Sequence, residues 1–160
     1  MKYIKHSLII LILALFICCE DDDFDNDFFE ENLASIPINF PGSILAADAP
    51  TYTFAYNAST NIDITIPMEI PSSSGRTISQ ISRVAAGNTA INPGSLSDNY
   101  ISSPISAGSN SVVFQTTTDE FSSLRTDSVE PGSTIAFIFE IVLDDGQILI
   151  SREIEVDLVE

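Results

Sequence analysis

An unbroken two-residue alternation limits the fold more than any other feature. Residues 62–70 read Ile-Asp-Ile-Thr-Ile-Pro-Met-Glu-Ile. Ile62, Ile64, Ile66, Met68 and Ile70 share one face, with Asp63, Thr65 and Glu69 on the other. Successive side chains of an extended chain point to opposite sides, whereas a helix repeats every 3.6 residues, so this stretch reads as a half-buried strand. Pro67 has no N–H to give to a neighbour, which predicts an edge position or a bulge.

The same period returns at the C-terminus. Ile135, Phe137, Phe139, Ile141 and Leu143 alternate with Ala136, Ile138, Glu140 and Val142. Both faces are largely apolar, which predicts a central strand. Asp144-Asp145-Gly146 then supplies a turn, with Gly146 free to take positive φ. On the return strand, Ile148, Ile150, Ile154, Val156 and Leu158 are expected on one face, and Leu149, Ser151, Glu153, Glu155 and Asp157 on the other. Arg152 falls on the apolar face, where it either pairs with a carboxylate or is turned outward by a bulge.

Weaker strand signals cover residues 36–40, 51–56, 77–85 and 111–117. A short helical turn is expected near Asp119, with Thr118 or Asp119 as its cap. Residues 87–110 are rich in Ser, Asn, Pro and Gly and read as a long loop or loosely paired strands. No long segment has a helical period. About seven strands within residues 33–160 predict an all-β fold, an antiparallel immunoglobulin-like β-sandwich. This part of the chain has no Cys and no Trp, so its core must rest on aliphatic residues and Phe.

Ahead of this domain, residues 1–18 carry the parts of an export signal: Lys2 and Lys5, then the apolar run LIILILALFI. That run is too short for a bilayer-spanning helix, which needs about 20 residues, but it suits a signal peptide. Phe16-Ile17-Cys18-Cys19 resembles the lipobox of bacterial lipoproteins. Cys19 is favoured as the lipidated residue, because choosing Cys18 would put the large Ile17 where the family has a small residue. Two or more acyl chains make such an anchor stable, at about 0.8 kcal/mol per buried CH2.

Glu20-Asp21-Asp22-Asp23 resembles the surface-export signal of Bacteroidota lipoproteins, which implies an outer-membrane protein facing the cell exterior. Residues 19–32 are expected to form a tether. Eight of the thirteen residues from 20 to 32 are acidic, and such a run repels itself. Phe24, Phe28 and Phe29 are candidates for docking on the domain, a partner or the membrane. Asp23, Asp25 and Asp27 alternate as in a calcium loop, but Phe28 and Ala34 stand where that loop needs Gly and Glu. No metal site or cofactor is predicted.

The segment Val-Glu-Pro-Gly-Ser-Thr-Ile-Ala-Phe-Ile-Phe at 129–139, closing in Leu143-Asp144-Asp145-Gly146-Gln147, resembles a pattern in small Bacteroidota lipoproteins. Those are often encoded beside nutrient importers of the starch-utilisation (SusC/SusD) type. Ser133 and Gln147 stand where the pattern has Asp and Arg. The resemblance implies an accessory component, with SusC/SusD-type transporter proteins or a glycan as partner.

Charge and residue usage narrow the chemistry. The formal charge is −17, from 6 basic and 23 acidic residues. Both lysines, His6 and both cysteines lie within residues 1–19, so cleavage before Cys19 leaves four arginines against 23 acids, or −19. Such a chain does not bind nucleic acid phosphates. Without His, Lys or an unmodified thiol it lacks the usual proton shuttle, Schiff base and nucleophile. No Gly-x-Ser-x-Gly elbow or phosphate-cradling loop is present. Asp144-Asp145 read as a turn and Asp119-Glu120 as a helix start. No catalytic residue is predicted and a non-enzyme is expected, though two carboxylates facing each other across a cleft would reopen glycoside hydrolysis.

Tyr52, Tyr56 and Tyr100 remain as candidate ligand-binding residues. Tyr52 and Tyr56 are expected on one strand face with Phe54 opposite, either as a small stacking platform or as the edge of the core. Two functions compete: an accessory binding component, or a structural or adhesive module without a small-molecule ligand. An exposed apolar patch or aromatic platform favours the first, and a uniformly polar, acidic surface the second.

Overall fold

The computed structural model describes residues 36–46, 49–56, 61–88, 91–125 and 129–160. The signal peptide, Cys19, the acidic run Glu20, Asp21, Asp22 and Asp23, and the tether lie outside the described residues. The chain forms β1 (Ile44–Ala46), β2 (Ala49–Ala55), β3 (Asp63–Glu69), β4 (Ile78–Asn88), β5 (Ile105–Ser109), β6 (Ser111–Thr117), α1 (Thr118–Arg125), β7 (Thr134–Leu143), β8 (Ile148–Ile150) and β9 (Ile154–Val159). The fold is mostly β, as its alternation predicts. Short strands β1, β5 and β8 bring the number among the described residues to nine, rather than about seven. Residues 36–40 contribute an isolated bridge, Asn39 to Glu69, in place of a strand.

The larger sheet runs in the order β1-β2-β9-β7-β4-β5, with β8 also on β7, and β3 pairs with β6 in a separate ribbon. The larger sheet is mixed rather than antiparallel, because β2 and β9 run parallel from Thr51↔Glu155 to Ala55↔Val159. These strands are far apart in sequence, so no hairpin forces them to oppose each other.

The ribbon lies over one face of the larger sheet. Ile64, Ile66 and Met68 of β3 and Phe114 of β6 are buried against Ile81, Val84, Phe137, Phe139, Ile154 and Val156. The Phe114 ring sits 5.2 Å from Phe139 and 5.4 Å from Phe137, between centroids. Pro67 is tolerated because β3 is an edge: among the described strands it pairs with β6 alone. Strand β7 is central, flanked by β4 on one side and by β8 and β9 on the other. Its second face buries Ile138 against Ala85 and Leu96, in a small satellite core under the 3₁₀ turn Pro93–Ser97.

The return strand breaks its own alternation. Glu140 pairs with Ile150, but Phe137 pairs with Ile154, so two residues of β7 face three on the other side. This is a β-bulge at Ser151, Arg152 and Glu153. The Phe139 N–H donates to Ser151 Oγ at 2.9 Å, and that hydroxyl donates to the Arg152 carbonyl at 2.7 Å. Arg152 is turned to solvent. One extra residue reverses which face each side chain takes. Ile148 and Ile150 are therefore 57% and 49% exposed, while Leu149 is buried at 6%. This corrects the expectation that all the isoleucines of this strand face inward.

The turn before it follows the sequence: Gly146 takes φ 89° and its N–H donates to the Leu143 carbonyl at 3.1 Å. Asp144 and Asp145 both pair with Arg76, which ties this turn to the chain entering β4. The helix cap lies one residue earlier than expected. Thr117 Oγ1 accepts from the Glu120 N–H at 3.1 Å, because α1 starts directly at the end of β6. Thr118 instead accepts from the Ile62 N–H at 3.1 Å and donates to Asn61 Oδ1 at 3.1 Å, fastening α1 to the start of β3.

Candidate functional site

Pairing of β3 with β6 sets Asp63 opposite Thr117 and Thr65 opposite Gln115. The alternation that sends Ile64, Ile66 and Phe114 inward turns these four outward, away from the larger sheet. Helix α1 leaves the end of β6 and brings Glu120 over the same surface. Asp63, Thr65, Gln115, Thr116, Thr117 and Glu120 line a groove of about 380 Å³ there.

The Glu120 carboxylate is fixed from below. Its Oε2 accepts from Thr116 Oγ1 at 3.0 Å, and Thr116 Oγ1 lies 2.6 Å from the Tyr100 hydroxyl. A hydrogen-bonded path therefore runs from the core to the groove. Tyr100 is 6% exposed, with its ring 6.0 Å from Phe137 and 6.3 Å from Phe121. The Arg125 guanidinium lies 5.5 Å from the Tyr100 centroid and pairs with Asp98. Cation and ring attract through the ring quadrupole.

Burial pushes the Tyr100 phenol above its ordinary value. The Thr116 hydrogen bond pulls it back, the Glu120 charge raises it again, and Arg125 lowers it. A phenol raised in the fold leaves stability intact below the unfolded value near 10. As pH climbs above that value the unfolded chain ionises first, and stability is lost until the folded phenol titrates as well. The melting temperature is therefore expected to fall as pH rises above about 10, and Tyr100→Phe is expected to shrink that fall. Thermal melts across this range check it; equal alkaline slopes in both proteins would contradict it.

Sequence reasoning singled out three tyrosines. Tyr52 is 9% exposed, and its hydroxyl donates to the Pro41 carbonyl at 2.9 Å. Burial raises its phenol too. The Tyr56 hydroxyl donates to the Val129 carbonyl at 3.0 Å. Phe54 is not opposite these rings: Tyr52, Phe54 and Tyr56 all pack on the core, as residues two apart on one strand must. Tyr100 belongs to a different part of the core, under α1. The three rings do not form an exposed platform.

The groove residues were legible only in part. Asp63 and Thr65 read as the polar face of their strand, but nothing local shows that β6 would bring Gln115, Thr117 and Glu120 beside them. The groove offers two carboxylates and several neutral oxygens, and its lining has no cation. It can accept hydrogen bonds from a donor-rich ligand. Among the described residues no three of His, Cys, Asp and Glu come together as a metal site.

A second surface feature is apolar. Ile148 and Ile150 project from the outer side of the larger sheet, beside Val142 and Glu140 of β7. No protein-family model matches this chain, and no curated protein matches it either.

Proposed function

We propose that this chain is a lipid-anchored protein of the outer-membrane surface, held by Cys19 and stood off by residues 19–32. Its domain, in this reading, is an immunoglobulin-like sandwich that acts as a non-enzymatic binding or scaffolding component of a nutrient-import assembly. The strand order supports the fold assignment. β9-β7-β4-β5 corresponds to strands G-F-C-C′ of a variable-type immunoglobulin domain, and β3-β6 to strands B and E. In place of the usual disulfide and Trp, Phe114, Phe137 and Phe139 fill the middle of the core.

The observation that carries the functional reading is the exposed isoleucine pair, Ile148 and Ile150, on a strongly acidic chain. Exposed apolar side chains that cluster on one face are candidate contact surfaces, and this pair continues into the half-buried Val142. Ile44 and Leu45 on β1 form a second exposed pair, at 64% and 71%. The inward-turned tyrosines favour a protein partner over a stacked glycan. They also keep a structural or adhesive module without small-molecule ligand as the second reading. Detergent-free fractionation of Cys19→Ala tests the anchor: the variant is expected in the soluble fraction, and one that stays with membranes would overturn the lipid attachment.

A further inference from the structure

We propose that the outer face of β7 and β8 docks a protein partner that presents aliphatic side chains flanked by lysine or arginine. This inference deepens the scaffolding reading and rests on it. The bulge is the starting point. An unbroken alternation from Ile148 to Leu158 would bury every isoleucine but would also drive Arg152 into the core. The extra residue frees Arg152, and it does so by exporting Ile148 and Ile150. Bulges re-aim side chains in this way at functional edges.

The exported residues are not isolated. Ile148 lies across from Val142 and Ile150 across from Glu140. Gln80 and Arg83 of β4 continue those two rows. Arg83 Nε lies 3.9 Å from Glu140 Oε1, an oxygen that also accepts from Ser82 Oγ at 2.7 Å. Past the bulge, β9 carries Glu155 and Asp157 out of phase with the buried Ile154, Val156 and Leu158. The apolar pair thus shares its sheet face with Glu140, Glu155 and Asp157 and with Arg83, while Arg152 is exposed at the bulge beside it, so acidic groups outnumber basic ones there.

This charge pattern selects the occupant. A second copy would bring the same carboxylates, and two chains of formal charge −17 repel. An anionic lipid surface is disfavoured for the same reason. The three residues of β8 make too short an edge for strand addition. A partner with aliphatic groups for Ile148, Ile150 and Val142, and a cation for Glu155, complements both features, because Glu140 is already paired with Arg83 and Ser82.

The test uses the full lipidated chain in detergent micelles, labelled at isoleucine δ-methyls. The probe is a short synthetic peptide alternating Lys and Val, with Lys-Ser and Glu-Val peptides as controls. The Lys-Val peptide is expected to shift the Ile148 and Ile150 methyls but not that of Ile44, which is more exposed at 64% and lies on β1. Added salt should weaken binding, and the double variant Ile148→Ser with Ile150→Ser should lose about tenfold in affinity. That variant should keep its melting temperature, because both side chains already face water. No shift, an equal shift from the Lys-Ser peptide, affinity that survives the double variant, or dimerisation of the free chain would each overturn the proposal. A failed anchor or importer role would appear in fractionation and co-purification instead, and would leave the peptide result unchanged.

Discussion

Replacing Cys19 with alanine is expected to move nearly all of the protein from the membrane to the soluble fraction. In the proposed reading, the acyl chains on Cys19 are the main source of membrane affinity. One chain alone gives only marginal, reversible binding, with an association constant on the order of 10⁴ M⁻¹, and a second chain makes attachment effectively permanent. The rest of the chain opposes membrane contact: its 23 acidic residues are repelled by anionic lipid. Among the described residues no helix is long and apolar enough to cross a bilayer. Loss of both chains therefore removes most of the affinity, leaving Phe24, Phe28 and Phe29 as the remaining candidates for membrane contact. Retention of the variant in washed membranes would refute the assignment of Cys19.

The second large effect is expected at Phe114. This ring hangs from the two-stranded ribbon and reaches Phe137 and Phe139 on the central strand of the larger sheet. It also meets Tyr100 edge-on at 6.2 Å. Cutting it to alanine opens a cavity between the layers, at a cost of about 3–5 kcal/mol. Against a total stability of about 5–15 kcal/mol, that loss is a large share and lowers the melting temperature by about 10 °C or more. Thermal or urea unfolding of Phe114→Ala measures it. A loss below about 1 kcal/mol would mean that the ribbon is not held to the sheet through this ring.

Alternation carried much of the fold. It marked β3 with its inward face, the central place of β7 and the turn at Gly146, because each depends on local chemistry. What escaped it was non-local or offset by one residue. The bulge at Ser151 leaves the written pattern of isoleucines intact, and only pairing with β7 shows that their faces have reversed. The parallel pairing of β2 with β9 joins distant segments, and no local signal specifies it. The cap fell on Thr117 because strand and helix abut without a loop.

The candidate site was less legible still. Cys19 and the run Glu20, Asp21, Asp22 and Asp23 stand on motif alone. The tyrosines face inward, since Tyr52 and Tyr100 satisfy their hydroxyls within the domain, at Pro41 and Thr116. The groove and the apolar face each combine strands that are far apart in sequence.

The central claim is that this domain serves a larger surface assembly, and gentle co-purification tests it most directly. Outer membranes carrying a C-terminally tagged chain would be solubilised in mild detergent, captured, and their stoichiometry read by mass spectrometry. The account predicts a large β-barrel transporter in near-equal amount, lost from the Ile148→Ser, Ile150→Ser double variant while the protein itself stays folded and anchored. Recovery of the chain alone would contradict it and leave an independent structural or adhesive module.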